Sequence, residues 1–244
     1  GWVSERTHER IPQLLTEPLP ADTRFVLLNA VYLKAEWAEA FTAEATSDGD
    51  FHLDDGTTKT VSFMHDGRDV AYADVDGVQA IALPYQGGRL EMDVLLPRPG
   101  GLADVERGLD AAHLERLLGA LAEQEVIITL PRWEARTHAS LENALGATMP
   151  TAFGDAADFS GITTKEPLYI GDVVHEAWVR IDEKGTEAAA ASAVIQEAGA
   201  TAPSETTRPP EFTADHPFLW LIRDRQTGAI LFLGRVASPQ PPAS

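Results

Sequence analysis

The chain has 244 residues, 44% of them hydrophobic and 23% charged, enough apolar material for one large core or two small ones. Its 38 acidic and 19 basic residues leave a net charge of −19, which argues against nucleic acid or an anionic membrane as partner. With no cysteine there is no disulfide, thiol nucleophile or thiolate metal site, and no apolar run reaches the roughly 18 residues that a membrane-spanning helix needs.

The first residues, Gly1 to His8, show neither an initiator methionine nor a charged-then-apolar leader, so the native N-terminus is expected to lie upstream and the compartment stays open. Phe25 to Leu33, interrupted only by Asn29, is apolar on both faces, as expected of a central strand covered on both sides. Phe51 to Leu53 and Val61 to Met64 flank Asp54-Asp-Gly-Thr57, a hairpin signal. Further strands are predicted at Val70 to Val75, Val78 to Leu83 and Leu90 to Leu96, with Pro97-Arg-Pro-Gly-Gly101 as a stop. Leucines and valines at helical spacing predict a helix over Leu102 to Leu121, broken near Gly108. Strands resume at Glu125 to Leu130, a short helix is predicted at Ala139 to Leu145, and a strand spans Val173 to Ile181. Phe218 to Arg223 and Ala229 to Val236, joined by Asp224 to Gly228, predict a buried hairpin, followed by a loose polar tail from Pro239. Many strands, few helices and no strict strand-helix alternation predict an α+β fold with mixed, largely antiparallel sheets.

The most informative stretch follows the strand that ends at Asp182: Glu183-Lys-Gly-Thr-Glu-Ala-Ala-Ala-Ala-Ser192. From Ala193 to Glu211 the chain is mostly Ala, Thr, Ser, Glu, Pro and Gly, too poor in apolar residues to fold alone, and so an exposed loop. Were the first part to enter a sheet, one face would carry Thr186, Ala188, Ala190, Ser192 and Val194, all small enough to be buried. Glu187, Ala189, Ala191 and Ala193 would form the other, so the one charge would meet water. Gly185 can change its backbone angles as the chain swings from loop to strand. Ala188 to Ala191 alone is equally a piece of helix or a linker; an apolar strand before the loop and a hairpin after it favour the strand.

Seven histidines (His8, His52, His65, His113, His138, His175, His216) are scattered, with no pair at three, four or five residues, and Gly-x-Ser-x-Gly and phosphate-cradling Gly-rich loops are absent from the sequence. No metal, cofactor or catalytic set is predicted; a dispersed Ser/His/Asp hydrolase is the rival from the enzyme class. His175 shares strand parity with Val173, Ala177 and Val179, which predicts a hydrogen-bonded core histidine.

The hinge segment resembles the signature of the serpins. The resemblance continues through Leu28-Asn-Ala-Val-Tyr-Leu-Lys-Ala-Glu-Trp-Ala-Glu-Ala-Phe41, Asp158-Phe-Ser-Gly161, Val174-His-Glu-Ala177, Pro217-Phe218 and Phe232-Leu-Gly-Arg-Val236, in the family's order. It implies a single partial serpin domain, the C-terminal two thirds of that fold, lacking an N-terminal helical region: core 1–182, hinge and reactive loop 183–211, C-terminal strands and tail 212–244. It implies a protease inhibitor without catalysis of its own, whose cut loop inserts into a sheet, or a non-inhibitory binding scaffold. The hinge would comprise Glu183, Gly185, Thr186, Glu187, Ala188, Ala189, Ala190, Ala191 and Ser192. Where the sheet opens, it implies Asn29 beside His175, Trp37 at the top, and Arg132 able to pair with Glu183; without it, Trp37 reads as core and Arg132 as a solvated charge. The family's spacing from the hinge puts the scissile bond at Gly199-Ala200, whereas counting back from Pro209-Pro-Glu211 gives Thr206-Thr207. Small residues at Gly199-Ala200 suit an elastase-like or subtilisin-like serine protease; Arg208 would suit a trypsin-like one, but Pro209 disfavours that cut.

Overall fold

A computed structural model describes residues 1–15, 18–19, 23, 25–186 and 208–241. In chain order the elements are helix α1 (Trp2–Arg6), strands β1 (Val26–Tyr32), β2 (Ala35–Glu36), β3 (Ser47–His52), β4 (Thr58–Val75), β5 (Val78–Pro84) and β6 (Leu90–Pro97), helices α2 (Leu102–Gly108) and α3 (Ala111–Gly119), and strands β7 (Ala122–Pro131) and β8 (Trp133–Ser140). Helix α4 (Glu142–Thr148) and strands β9 (Asp172–Asp182), β10 (Gly185–Thr186), β11 (Glu211–Thr213), β12 (Phe218–Asp224) and β13 (Ile230–Val236) complete them. The described chain forms two compact units: Gly1–Leu33 with Ala135–Val179, and Lys34–Glu134 with Arg180–Ser244.

In the first unit β1 pairs parallel with β9 over seven positions, from Val26 opposite Asp172 to Tyr32 opposite Trp178. No strand lies between them there. Ile11, Leu14 and Trp178 form the core of this unit, with Val3, Ala30 and Tyr32 packed against it. On β8, Arg136 and His138 both reach the buried carboxylate of Glu176 on β9, Arg136 Nε at 2.6 Å.

The second unit is a sheet in the order β11-β7-β4-β5-β6-β12-β13, with β3 beside β4. All its pairs are antiparallel except β11 with β7. Val78, Ala80, Leu95, Leu219 and Leu221 turn one face toward Leu102 of α2 and Leu117 of α3, because strand parity and helical spacing put the leucines of each element on one side. The break at Gly108 has a clear cause: Asp110 caps α3 by accepting the His113 N–H, which ends the earlier helix.

Several predicted elements differ in the structure. The two strands expected at Val61–Met64 and Val70–Val75 are one strand of 18 residues, because Asp66-Gly-Arg68 keeps its ladder with Ile128, Ile127 and Val126 of β7. Strand β8 was not predicted, and it extends through Ala139 and Ser140, so the helix begins only at Glu142. Glu211, taken as the last loop residue, is the first of β11. Leu27 and Leu28 of β1 are 40% and 47% exposed, which corrects the expectation of cover on both faces. β12 is buried as predicted, but Ile230, Leu231 and Leu233 of β13 are exposed, since β13 ends the sheet.

A candidate hinge site

The site is assembled where β9 ends. Beyond Asp182 the chain turns through Glu183 and Lys184 and runs back as β10, whose Gly185 and Thr186 pair antiparallel with Asp182 and Ile181 on one side and with Glu36 and Ala35 of β2 on the other. The space left for this two-residue strand dictates its first residue. Gly185 has φ +138°, and a Cβ there would lie 2.3 Å from the Ala35 carbonyl oxygen and 2.8 Å from the Trp37 nitrogen, so only glycine fits.

Trp37 fastens the turn from outside. Its backbone N–H donates to the Lys184 carbonyl at 2.9 Å and its indole N–H to the Asp182 carbonyl at 3.0 Å, while the Phe41 N–H donates to the Glu183 carbonyl at 2.8 Å. The Trp37 ring is buried and stacks on Tyr85, centroids 4.6 Å apart and planes 13° from parallel. Tyr85 in turn shares a hydrogen bond of 2.6 Å with the fully buried Thr186 hydroxyl. Burial pushes the Tyr85 phenol well above its ordinary range, so this bond stays neutral over any working pH.

The Glu183 side chain is 8% exposed and would be costly to bury unpaired. One of its oxygens, Oε1, accepts from Arg132 Nε at 2.7 Å, from Arg132 Nη2 and from the Thr46 hydroxyl. Arg132 itself is placed by its backbone N–H, which donates to Ser62 of β4. Burial raises the neighbouring Asp182 carboxyl above its usual range, opposed by the Lys184 N–H and the Arg180 charge.

Of the residues singled out from the sequence, Glu183, Gly185, Thr186, Trp37 and Arg132 meet here. Asn29 and His175 stand opposite each other on β1 and β9. They do not satisfy one another: Asn29 is exposed, His175 is half-buried, and its buried Nδ1 has no hydrogen-bond partner among the described residues. The expected hydrogen-bonded core histidine is therefore corrected: the ring is half-buried and its Nδ1 is unpartnered among the described residues. Glu187, Ala188, Ala189, Ala190, Ala191 and Ser192, and both possible reactive bonds, Gly199-Ala200 and Thr206-Thr207, lie outside the described residues. Sequence reasoning missed Thr46 and Tyr85. The signal for Tyr85 was an aromatic directly after the buried run Val78 to Pro84; Thr46, in a polar loop, gave none. Among the described residues no group of acidic or histidine side chains is arranged to hold a metal ion.

A family model described as Serpin (serine protease inhibitor) matches residues 1–239. An uncharacterized serpin-like protein of Thermococcus kodakarensis is 41% identical over 240 residues, covering 98% of this chain and 55% of that protein. Leukocyte elastase inhibitor of Bos taurus is 36% identical over 250 residues, covering 98% and 65%. Among solved structures, thyroxine-binding globulin in complex with thyroxine superposes with a TM-score of 0.84 at 28% identity over 98% of this chain and 62% of that one, and uncleaved ovalbumin with 0.84 at 29% over 98% and 61%. The chain thus spans 55% to 65% of the length of these curated relatives.

Proposed function

Because the chain belongs to the serpin family, an α+β fold shared with solved serpins, we propose that it serves as the loop-bearing part of a serine protease inhibitor that acts as a suicide substrate. One observation carries this reading: the two-residue strand β10 lies antiparallel on the end of β9, and β9 from Asp172 to Trp178 pairs parallel with β1. Continuing the β10 register along β9 would set Glu187 opposite Arg180, Ala188 opposite Val179 and Ser192 opposite His175. The inserted segment would replace one parallel pair by antiparallel neighbours on both sides, which pair slightly better. It would also bring a hydroxyl to the unpartnered Nδ1 of His175.

The energy for the trap comes from that strand. About a dozen inserted residues, at roughly 1 kcal/mol net per hydrogen bond, amount to the whole stability of a typical domain, roughly 5 to 15 kcal/mol. The uncut protein is then held out of its most stable form by a barrier. A protease serine attacks the Gly199 carbonyl, the Ala200 amine leaves, and the loop inserts before water can release the acyl-enzyme. The alternative bond is Thr206-Thr207. Small residues at Gly199-Ala200 and the likeness to leukocyte elastase inhibitors support an elastase-like or subtilisin-like target.

Incubation with a panel of serine proteases tests the reading. A complex that survives denaturant, with the cut bond located by mass, is the expected result; digestion of the loop with no stable adduct at any ratio refutes it. The likeness to thyroxine-binding globulin favours the second reading, a binding scaffold, for which cutting the loop would leave thermal stability unchanged.

A further inference from the structure

We infer that His216 is a proton-dependent clamp on the corner between β11 and β12, closed while the imidazole and its partner share two hydrogens and released when one is lost. The corner is Ala214-Asp215-His216-Pro217, and strands β7, β3 and β6 fasten it, all within the second unit. The Ala214 N–H donates to the Thr129 carbonyl of β7 at 2.9 Å, and the His52 N–H of β3 donates to the Asp215 carbonyl at 2.7 Å. The last fastening is the His216 side chain, whose Nε2 lies 2.7 Å from the carbonyl oxygen of Pro97, the end of β6.

The backbone fastenings do not titrate, and the side-chain one does. His216 Nδ1 lies 2.8 Å from Asp215 Oδ1, so each ring nitrogen faces an oxygen at hydrogen-bond distance. A carbonyl oxygen accepts and cannot donate, and the same holds for an ionised carboxylate. Neutral imidazole has one N–H and one lone pair, and in either tautomer the lone pair would point at one of these oxygens. Both contacts are satisfied only by two hydrogens: an imidazolium on a carboxylate, or a neutral ring on a carboxylic acid. In either form the corner holds one proton more than a neutral histidine beside an ionised aspartate. His216 is buried, so its ring meets little water that could replace a lost partner, whereas Asp215 is half-buried and gives the proton a way out. A second titratable group stands at the corner: the exposed His52, its Nε2 4.0 Å from Asp215 Oδ2. Loss of the shared proton turns a lone pair toward the Pro97 or the Asp215 oxygen, and the corner keeps only its backbone fastenings. Strand β11 lies between this corner and residues 187–207. A looser far anchor for the loop is the consequence under the function proposed above; the clamp itself does not rest on that reading.

The test is nuclear magnetic resonance of the full-length, uncleaved protein, titrated from about pH 5 to about pH 9 so as to span the ordinary histidine range. At the lower end both contacts of the His216 ring should show a hydrogen, on the ring nitrogens or on Asp215. As the pH rises one hydrogen should be lost. Over the same interval the protection of the Ala214 and His52 amides against exchange, corrected for the intrinsic rate, should fall about tenfold, the size of one charged hydrogen bond. Amides of the β4–β5 ladder should keep theirs. In His216→Gln, whose side chain does not titrate, protection at the corner should not vary with pH; if that variant does not fold, the ring and amide signals of the wild type decide alone. A contact without its hydrogen while the amides are still protected overturns the clamp, as does protection unchanged by that loss. A step that survives in His216→Gln and disappears in His52→Gln belongs to the other histidine and also overturns it. None of these measurements uses a protease, so the step in a protein that traps none upholds the clamp and counts only against the inhibitory reading.

Discussion

Glu183 shows how one side chain can hold a turn together. Its oxygen Oε1 takes every donor that Arg132 and Thr46 offer it, so Glu183→Gln should cost about 1 to 2 kcal/mol, less than a fully buried ion pair because Arg132 is 34% exposed. Urea unfolding of Glu183→Gln, Arg132→Met and the double variant would measure the coupling; additive losses would mean that the pair does not act as a unit. Gly185 is constrained by space and not by charge. With φ at +138° and the Ala35 carbonyl against the position of its absent Cβ, Gly185→Ala should expel β10 from between β9 and β2, at about 1 to 3 kcal/mol or more. Faster proteolysis near residue 186 and a change in Trp37 fluorescence would report it, and an unchanged spectrum with normal stability would refute it.

At the scale of elements, the β6–β12 pair buries charge inside a hydrophobic sheet. Asp93 is fully buried, its Oδ2 accepts from Arg223 Nε at 2.7 Å, its Oδ1 has no hydrogen-bond partner among the described residues, and Arg223 and Arg225 also hold the buried Glu91. Burial pushes the Asp93 carboxyl up from 3.8 to about 6, against the Arg223 hydrogen bond and charge and with some help from Glu91. A carboxyl raised on folding favours the folded state fully below the unfolded value, near pH 4, and that contribution is lost as the pH rises through about 6. Asp93→Asn, which does not titrate, should remove a decline on the order of 3 kcal/mol between those limits. If unfolding from pH 4 to 7 shows the same slope in both proteins, the burial of this charge has been misjudged. Farther along the same sheet, the β4–β7 pair explains how an 18-residue strand passes over a polar break: its ladder is continued by its partner and not by its own side chains.

For the molecule as a whole, the proposed insertion predicts that cutting the loop makes the full-length protein more stable. The expected rise is several kcal/mol, seen as a shift of ten degrees or more in the thermal midpoint, on the scale of a few degrees per kcal/mol for domains of this size. Ser192→Ala should reduce that gain by about 1 kcal/mol while leaving the uncut protein unchanged, because its hydroxyl would meet His175 Nδ1 only after insertion. A cut protein that melts with or below the intact one would remove the energetic basis of the trap.

Local chemistry decided what could be read directly from the sequence. Apolar runs of strand length, such as Val78 to Leu83 and Phe218 to Arg223, and the leucine spacing broken at Gly108 announced their elements, because burial and periodicity act on neighbouring residues. At Glu183 to Thr186 the sequence announced the end of a strand and a glycine, and the structure describes there a turn into the two-residue strand β10. Only the tertiary structure revealed that Tyr85 and Thr46, far away in the chain, close on Thr186 and Glu183. It alone showed that polar Asp66-Gly-Arg68 and Trp133 to Ser140 lie in strands, and that Asn29 and His175 face each other without bonding. Those outcomes depend on which backbone supplies the partner, and pairing between distant strands leaves no periodic mark in either one.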